Sequence, residues 1–256
     1  MTGFDPLFSV AGKVVLVTGG SRGLGRAMSQ GLAERGAHVV VASRKLEVCE
    51  SLVDGIRAAG GEAHALACHV GDWDSLGGVV DAIVERYGRL DALVNNAGLS
   101  PGAPSLADTS EALVDKIIEV NLKGPIRLTA LAATAMGRTG GGAIVNISSL
   151  ASLKPTPVAP VYSAAKAGLN ALTVTAALEY AAAGVRVNGI VCGTFDTDAT
   201  AGFVRDPAVL PEVVRPIALG RVGQPKEVVG TAVYLLSDAS SYTTGALITV
   251  DGGVSG

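Results

Sequence analysis

Lys13-Val14-Val15-Leu16-Val17-Thr18-Gly19-Gly20-Ser21-Arg22-Gly23-Leu24-Gly25 is the stretch from which the fold can be read. Lys13 to Thr18 is a short β-branched run bounded by glycine, which reads as a strand. Leu24, Ala27, Met28, Gly31 and Leu32 then recur on one face of a helix. Such a turn directs backbone N–H groups and a helix N-terminus at one point, a setting that suits a pyrophosphate. Gly19 can take a positive φ, Gly23 lets the backbone approach a ligand, and Gly25 permits close helix packing. An ordinary glycine-rich turn has the same composition; its place at the first strand-to-helix junction is what points to a nucleotide.

The same beat runs on through the chain. His38 to Ala42 reads as a second strand, followed by a helix whose apolar face is Cys49, Leu52, Val53 and Ile56. Glu62 to Cys68 is strand three. Leu76, Val79, Val80, Ile83, Val84 and Tyr87 form a helical stripe before strand four at Leu90 to Val94. Asp108 or Thr109 is expected to cap a helix running toward Asn121, and a further apolar stretch reaches Met136 before strand five, Ala143 to Ile147. A proline-rich loop, Lys154 to Pro160, precedes a long helix from about Val161 to Ala183, then strand six at Val185 to Val191. Gly193 to Gln224 has no clear period and reads as an insertion with short helices; helix Pro225 to Ser237 and strand Leu247 to Val250 close the chain. Alternating strands and helices imply an α/β fold, a doubly wound parallel sheet of about seven strands with helices on both faces. No break suggests a second domain, so residues 1–256 are expected to form one.

Composition excludes several classes of function. With 20 Lys+Arg against 23 Asp+Glu the net charge is −3, which gives no reason to expect nucleic acid. Hydrophobic residues make up 48% and charged ones 17%, far from a disordered chain. The low charge favours self-association. Apolar runs are broken by Arg127, Arg138, Lys166 and Glu179, so no membrane span is expected, and the start lacks a basic signal-peptide pattern. A cytoplasmic location is the default. Cys49, Cys68 and Cys192 form no CxxC, and His38, His64 and His69 no HxxxH; His64 and His69 are expected on opposite faces of strand three. No metal site is expected.

Further motifs complete a pattern. Asn95-Asn96-Ala97-Gly98 follows strand four, Asn121 lies in a Val-Asn-Leu-Lys-Gly run, Ser149 follows strand five, and Tyr162-Ser163-Ala164-Ala165-Lys166 opens the long helix. Together with Thr18–Gly25, and with Tyr242–Gly245 and Val250–Gly253 near the end, these residues resemble the short-chain dehydrogenase/reductase family, with its TGxxxGxG and YxxxK signatures. The resemblance covers nearly the whole chain and implies a Rossmann-like NAD(P)-binding domain.

Tyr162 and Lys166 stand at i and i+4, on one face of a helix. A phenol is a poor base near neutrality, and an adjacent ammonium is expected to depress its pKa. The resemblance implies that Tyr162 exchanges a proton with the substrate oxygen while hydride moves to or from the nicotinamide. It also implies that Ser149 bonds the same oxygen and that Asn121 supports a water leading from Lys166. Ser148 is a neighbouring rival to Ser149. It further implies cofactor contacts from Gly19, Ser21, Arg22, Gly23, Leu24 and Gly25, from Asn95, Ala97 and Gly98, from Tyr162 and Lys166, and from Gly193, Phe195 and Thr197. Asn95 also reads as a brace at the sheet centre. Strand two ends Ala42-Ser43-Arg44-Lys45, with Ser43 where an acid would bind the ribose of NAD. Arg22 and Arg44 suit a 2′-phosphate, so NADP(H) is expected over NAD(H), with Lys45 solvated and Glu47 in the first turn of the next helix.

Two departures from the family pattern stand out. Cys68-His69-Val70 replaces the usual Asp-Val at the adenine contact, leaving His69 and Val70 there; Cys192-Gly193 replaces the Pro-Gly after strand six, with Cys192 expected to pack as an apolar residue. The substrate rim is expected from Ser100 to Ser105, Leu150 to Val161 and Gly193 to Val222, with Leu153, Val158, Phe195, Phe203 and Leu210 as apolar lining. The implied activity is an oxidoreductase acting on a ketone or secondary alcohol, with a homotetramer as the assembly. Arg205 and Arg215 leave open a 3-oxoacyl thioester carried on a phosphopantetheine. A redox-sensing nucleotide-binding module without turnover, and a dehydratase or epimerase of the same fold, are the alternatives.

Overall fold

A computed structural model describes residues 5–102 and 105–255. Its strands are β1 Val14–Thr18, β2 His38–Ser43, β3 Glu62–Ala67, β4 Ala92–Asn95, β5 Gly142–Ser149, β6 Val185–Cys192 and β7 Leu247–Val250. Its α-helices are α1 Gly23–Ala33, α2 Leu46–Ala58, α3 Leu76–Tyr87, α4 Glu111–Ile118, α5 Gly124–Gly137, α6 Pro160–Tyr180, α7 Ala201–Val204, α8 Leu210–Val214 and α9 Val229–Leu236. The seven strands form one sheet in the order β3-β2-β1-β4-β5-β6-β7, and every pairing is parallel.

Both faces of the sheet are buried, as a parallel sheet requires. Val15 and Val17 of β1 pack with Met28 and Leu32 of α1, Leu52 and Val53 of α2, and Val233 and Leu236 of α9. Val14 and Leu16 point the other way, toward Val80 and Ile83 of α3, Leu128 and Met136 of α5, and Ala176 of α6. The period of two in β1 therefore serves two cores. The chain winds outward from β1 to β3, returns beside β1 as β4, and winds out the other way. That reversal leaves a crevice above the C-terminal ends of β1 and β4, where doubly wound sheets bind ligands.

Some expected boundaries differ. Ser110 caps α4, accepting a bond from Leu113 N at 3.3 Å, while Asp108 instead accepts the Ser105 hydroxyl at 2.6 Å. The helix reaching Asn121 does not end there: it widens into a π turn, Glu119–Lys123, and continues directly into α5. Pro225–Val228 is a 3-10 turn leading into α9, and a 3-10 turn, Ala181–Ala183, closes α6 before Gly184 at φ 73°. His69 lies beyond the end of β3, so it does not share that strand with His64. The 193–224 segment carries α7 and α8, and a bridge between Phe195 and Gly223 ties its two ends together.

Candidate active site

Gly19 and Gly23 take φ 60° and φ 50°, which bend β1 into α1. A methyl on Gly19 would stand 2.9 Å from Ala97 Cα, so only glycine lets this turn lie against the Asn95–Gly98 segment. Gly25 packs against the turn itself: a built Cβ would run into the Gly19 carbonyl and the Asn96 amide. The first N–H groups of a helix have no intrahelical partner, and Arg22, the N-cap of α1, supplies no side-chain acceptor. These donors open on a cavity of about 890 Å³ lined by Gly19, Ser21, Arg22, Gly23 and Leu24 on one side. A pyrophosphate fits this cradle.

Thr18 and Asn96 lock the cradle, and the sequence reading assigned neither a role. Thr18 Oγ1 donates to Val94 O at 3.2 Å and accepts from Asn96 N at 3.0 Å and Ala97 N at 3.1 Å. Asn96 Nδ2 donates to Thr18 O at 2.8 Å and Gly19 O at 3.2 Å. The two strand ends at the crevice are thus clasped together. The signal lay in the motifs themselves, whose Thr and second Asn are the polar residues beside the glycines.

At the end of β2, Ser43 Oγ accepts from Ser21 Oγ at 3.2 Å and lies 3.0 Å from Cys49 Sγ. Glu47 sits in the first turn of α2, as expected. Arg22, Ser43, Arg44 and Lys45 all line the cavity; among the described residues none of these three cations has a carboxylate partner. His69 and Val70 border the same end, and His69 Nδ1 accepts from Gly71 N at 3.1 Å.

At the other end stand Ser148, Ser149, Tyr162, Lys166, Cys192, Gly193, Phe195 and Thr197. Thr197 packs over the glycine turn, its Cγ2 3.4 Å from a Cβ built on Gly23. Ser149 Oγ accepts from Ala151 N at 3.2 Å and bonds the Tyr162 hydroxyl. Lys166 is 4% exposed; its Nζ donates to Ile147 O at 2.8 Å and stands 5.7 Å from the Tyr162 ring centre.

Burial pushes the Tyr162 phenol above its ordinary value, against the lowering pull of the Ser149 bond. The expected depression by Lys166 is therefore absent: the ammonium is aimed at the Ile147 carbonyl, and desolvation outweighs it. Tyr162 is a protonated donor at neutral pH. Burial lowers Lys166 to about 8 and raises the Cys192 thiol to about 12, so that thiol is inert and packs as expected.

Three expected site residues stand behind the cavity. Gly25 packs the turn, as foreseen. Asn95, 2% exposed, donates to Asn146 Oδ1 at 2.9 Å and Thr129 Oγ1 at 3.1 Å, bracing β4 against β5 and α5. Asn121, fully buried in the π turn, donates to Leu99 O and Ile117 O at 2.9 Å each and accepts from Leu99 N at 3.3 Å. It fixes the chain just after Gly98, whose built Cβ would come 2.9 Å from Asn121 Oδ1.

On the expected substrate rim, Leu153, Val158 and Phe203 are exposed; residues 103–104 of that rim lie outside the described residues. Arg205 pairs with Asp196 at 2.9 Å and Asp198 at 3.7 Å, and Arg215 with Glu212 at 2.9 Å. Among the described residues no cluster of His, Cys, Asp or Glu is placed to hold a metal, and no helix is long and apolar enough to cross a membrane.

Known proteins share this arrangement. A family described as enoyl-(acyl carrier protein) reductase matches residues 19–255. Dehydrogenase/reductase SDR family member 4 of Bos taurus is 37% identical over 241 residues, 94% of this chain and 86% of its own. The 3-oxoacyl-(acyl-carrier-protein) reductase FabG of Thermotoga maritima is 38% identical over 248 residues, 95% of this chain and 98% of its own. A crystal structure of a gluconate 5-dehydrogenase from Burkholderia cenocepacia, in complex with NADP and tartrate, superposes with a TM-score of 0.93 at 32% identity and 97% coverage of both chains. The seven-stranded parallel sheet is the fold these relatives share, and the chain belongs to the short-chain dehydrogenase/reductase family of oxidoreductases.

Proposed function

We propose that the protein is an NADP(H)-preferring reductase that interconverts a ketone and a secondary alcohol. The observation that carries this reading is the convergence of Ser149, Tyr162 and Lys166 at one end of a cavity whose other end is the glycine cradle. Bound there, the dinucleotide supplies or accepts the hydride. Tyr162, kept protonated by burial, donates its proton to the substrate oxygen in reduction and recovers it in oxidation. Ser149 donates a second bond to that oxygen and orients it. Lys166 Nζ, 5.7 Å from the Tyr162 ring centre, offsets part of the burial cost of the phenolate left after transfer without outweighing it. Asn121 holds Leu99 and Gly98 against the cofactor's path, and Asn95 keeps β4 and β5 in register beneath it.

The preference for NADP(H) is supported by Ser43, which leaves no carboxylate to repel a 2′-phosphate, and by Arg22 and Arg44, both free to pair with one. The Burkholderia relative also carries NADP. Gly193, Phe195 and Thr197 would frame the nicotinamide end, and His69 and Val70 the adenine end. The exposed apolar rim supports a hydrophobic ketone. FabG of Thermotoga maritima acts, by its name, on a 3-oxoacyl carrier thioester, but Arg205 and Arg215 are held by their own carboxylates and do not favour carrier docking here. A cytoplasmic homotetramer completes the proposal; Val174 and Leu178, exposed on α6, support self-association, and light scattering tests it.

Titrating NADPH and NADH separately, with parent and Tyr162→Phe proteins, tests the function. The expected result is tighter NADPH binding in both and loss of turnover in Tyr162→Phe only. Tighter NADH binding overturns the cofactor preference, and full turnover by Tyr162→Phe overturns the acid–base role.

A further inference from the structure

Behind the reactive end of the cavity lies a hydrogen-bonded chain that the mechanism does not use. The Leu150–Ser152 residues form a single 3-10 turn directly after β5, with Ser149 as its N-cap. Ser152 Oγ donates to the Ser149 carbonyl at 2.6 Å and in turn accepts from Asn170 Nδ2 at 2.8 Å. Ser148 Oγ lies 3.4 Å from Ser152 Oγ and 3.5 Å from the Lys166 carbonyl. Asn170 is 9% exposed and one turn beyond Lys166, so Tyr162, Lys166 and Asn170 fall on one stripe of α6 at i, i+4 and i+8.

Asn170 Oδ1 is buried with no partner. A buried acceptor left unpaired carries a desolvation cost that a leucine of similar size would not bear. Packing alone does not call for an amide at this position, and what the amide does is hold Ser152. A serine hydroxyl at the start of a lone 3-10 turn can swing with that turn, because such turns are poorly bonded. Ser149 must point at Tyr162 in the site described above, and its own carbonyl is the atom that Ser152 grips.

We propose that Asn170, acting through Ser152, is a positioning residue that fixes the Ser149 turn to α6 and so aims the Ser149 hydroxyl at Tyr162. This rests on the acid–base reading given under the proposed function. The relay couples the two elements that must stay in register during proton transfer, β5 with Ser149 and α6 with Tyr162 and Lys166.

The test compares Ser152→Ala, Asn170→Leu, their double variant and Ser152→Thr, which keeps the hydroxyl. Ethyl acetoacetate with NADPH is the probe for kcat and KM, alongside NADPH dissociation constants and amide hydrogen exchange of residues 147–154. The expected result is a fall in kcat of about tenfold in each of the first two variants, since misplacement by about 1 Å costs up to ~100-fold. KM and NADPH binding should stay within about twofold, exchange in 147–154 should accelerate, and the double variant should be no worse than the poorer single one, as for members of one network. Ser152→Thr should recover most of kcat. Unchanged exchange overturns the relay, whether or not the probe is turned over. Faster exchange with unchanged kcat overturns its service to Ser149. Full turnover by Tyr162→Phe overturns the acid–base reading itself, whereas an inactive Tyr162→Phe beside a fully active Ser152→Ala overturns only the positioning role.

Discussion

Replacing Gly25 with alanine sets a helix-favouring methyl against the tightest packing in the site. The built Cβ would lie 2.9 Å from the Gly19 carbonyl carbon and closer still to its oxygen and to Asn96 Nδ2. The Gly19 carbonyl is backbone of the turn, so relief requires a backbone shift, and the Asn96 side chain is bonded to that same turn. Overpacking of this kind costs about 1–3 kcal/mol. Displacing Asn96 also weakens its two bonds, to Thr18 O and Gly19 O, at about 1 kcal/mol each. Alanine returns less than about 1 kcal/mol of helix propensity. The net loss is about 2–4 kcal/mol, a fall in Tm of roughly 5–15 °C for a chain of this size. Gly55→Ala is the matched control: Gly55 is exposed within α2, and a Cβ there meets nothing within 4 Å. It should stabilise by about 0.5–1 kcal/mol. Urea unfolding followed by circular dichroism, with NADPH titration, reads both variants. Gly25→Ala should also weaken NADPH binding at least about tenfold, because the shift moves the N–H cradle. If both substitutions stabilise alike, the packing of Gly19, Gly25 and Asn96 is no constraint and the reasoning fails.

Two other outcomes follow from the same site. Lys166 is lowered by burial from 10.5 to about 8. Between those values the unfolded chain holds a proton that the folded one has released, so stability rises with pH there, and the cost of the buried cation is present in full below about pH 8. Parent stability relative to Lys166→Met should therefore rise by on the order of 2 kcal/mol from about pH 7 to about pH 9.5, at about 1.4 kcal/mol per pH unit across the window; a flat difference in urea unfolding would refute the burial of a charged lysine. Ser43→Asp puts a carboxylate beside Ser21 and Arg44, and should weaken NADPH and strengthen NADH by about tenfold or more in ratio. Unchanged dissociation constants would show that the end of β2 does not select the phosphate.

The alternation of strand and helix was legible because both patterns are written locally: the unbroken apolar run Val14 to Val17, and the Leu76–Tyr87 stripe at helical spacing. The glycine turn and the Tyr162–Lys166 pair were legible for the same reason, since each is set by spacing along the chain. The end of the helix toward Asn121 was not. The residues flanking the π turn, Ile118 and Gly124, keep α-helical dihedrals, and the Asn121 side chain within it is bonded to Leu99, a partner 22 residues away that no local spacing announces.

Charge states lay further from view. Tyr162 and Lys166 are correctly paired in sequence, yet which of burial and attraction wins depends on how much water the folded cavity excludes. Arg205 looks available along the chain, and only the folding of the 193–224 segment brings Asp196 and Asp198 against it, whereas Arg215 meets Glu212 at a helical spacing of three that the sequence already carries. The clasp of Thr18 with Asn96 and the relay from Asn170 to Ser149 likewise join residues far apart in sequence. By itself the amino-acid order determined the strands, the helices and the residue types of the site, because those follow from local spacing and side-chain chemistry. The tertiary structure alone decided protonation and aim, because both depend on desolvation and on distances between segments that only the packed sheet brings together.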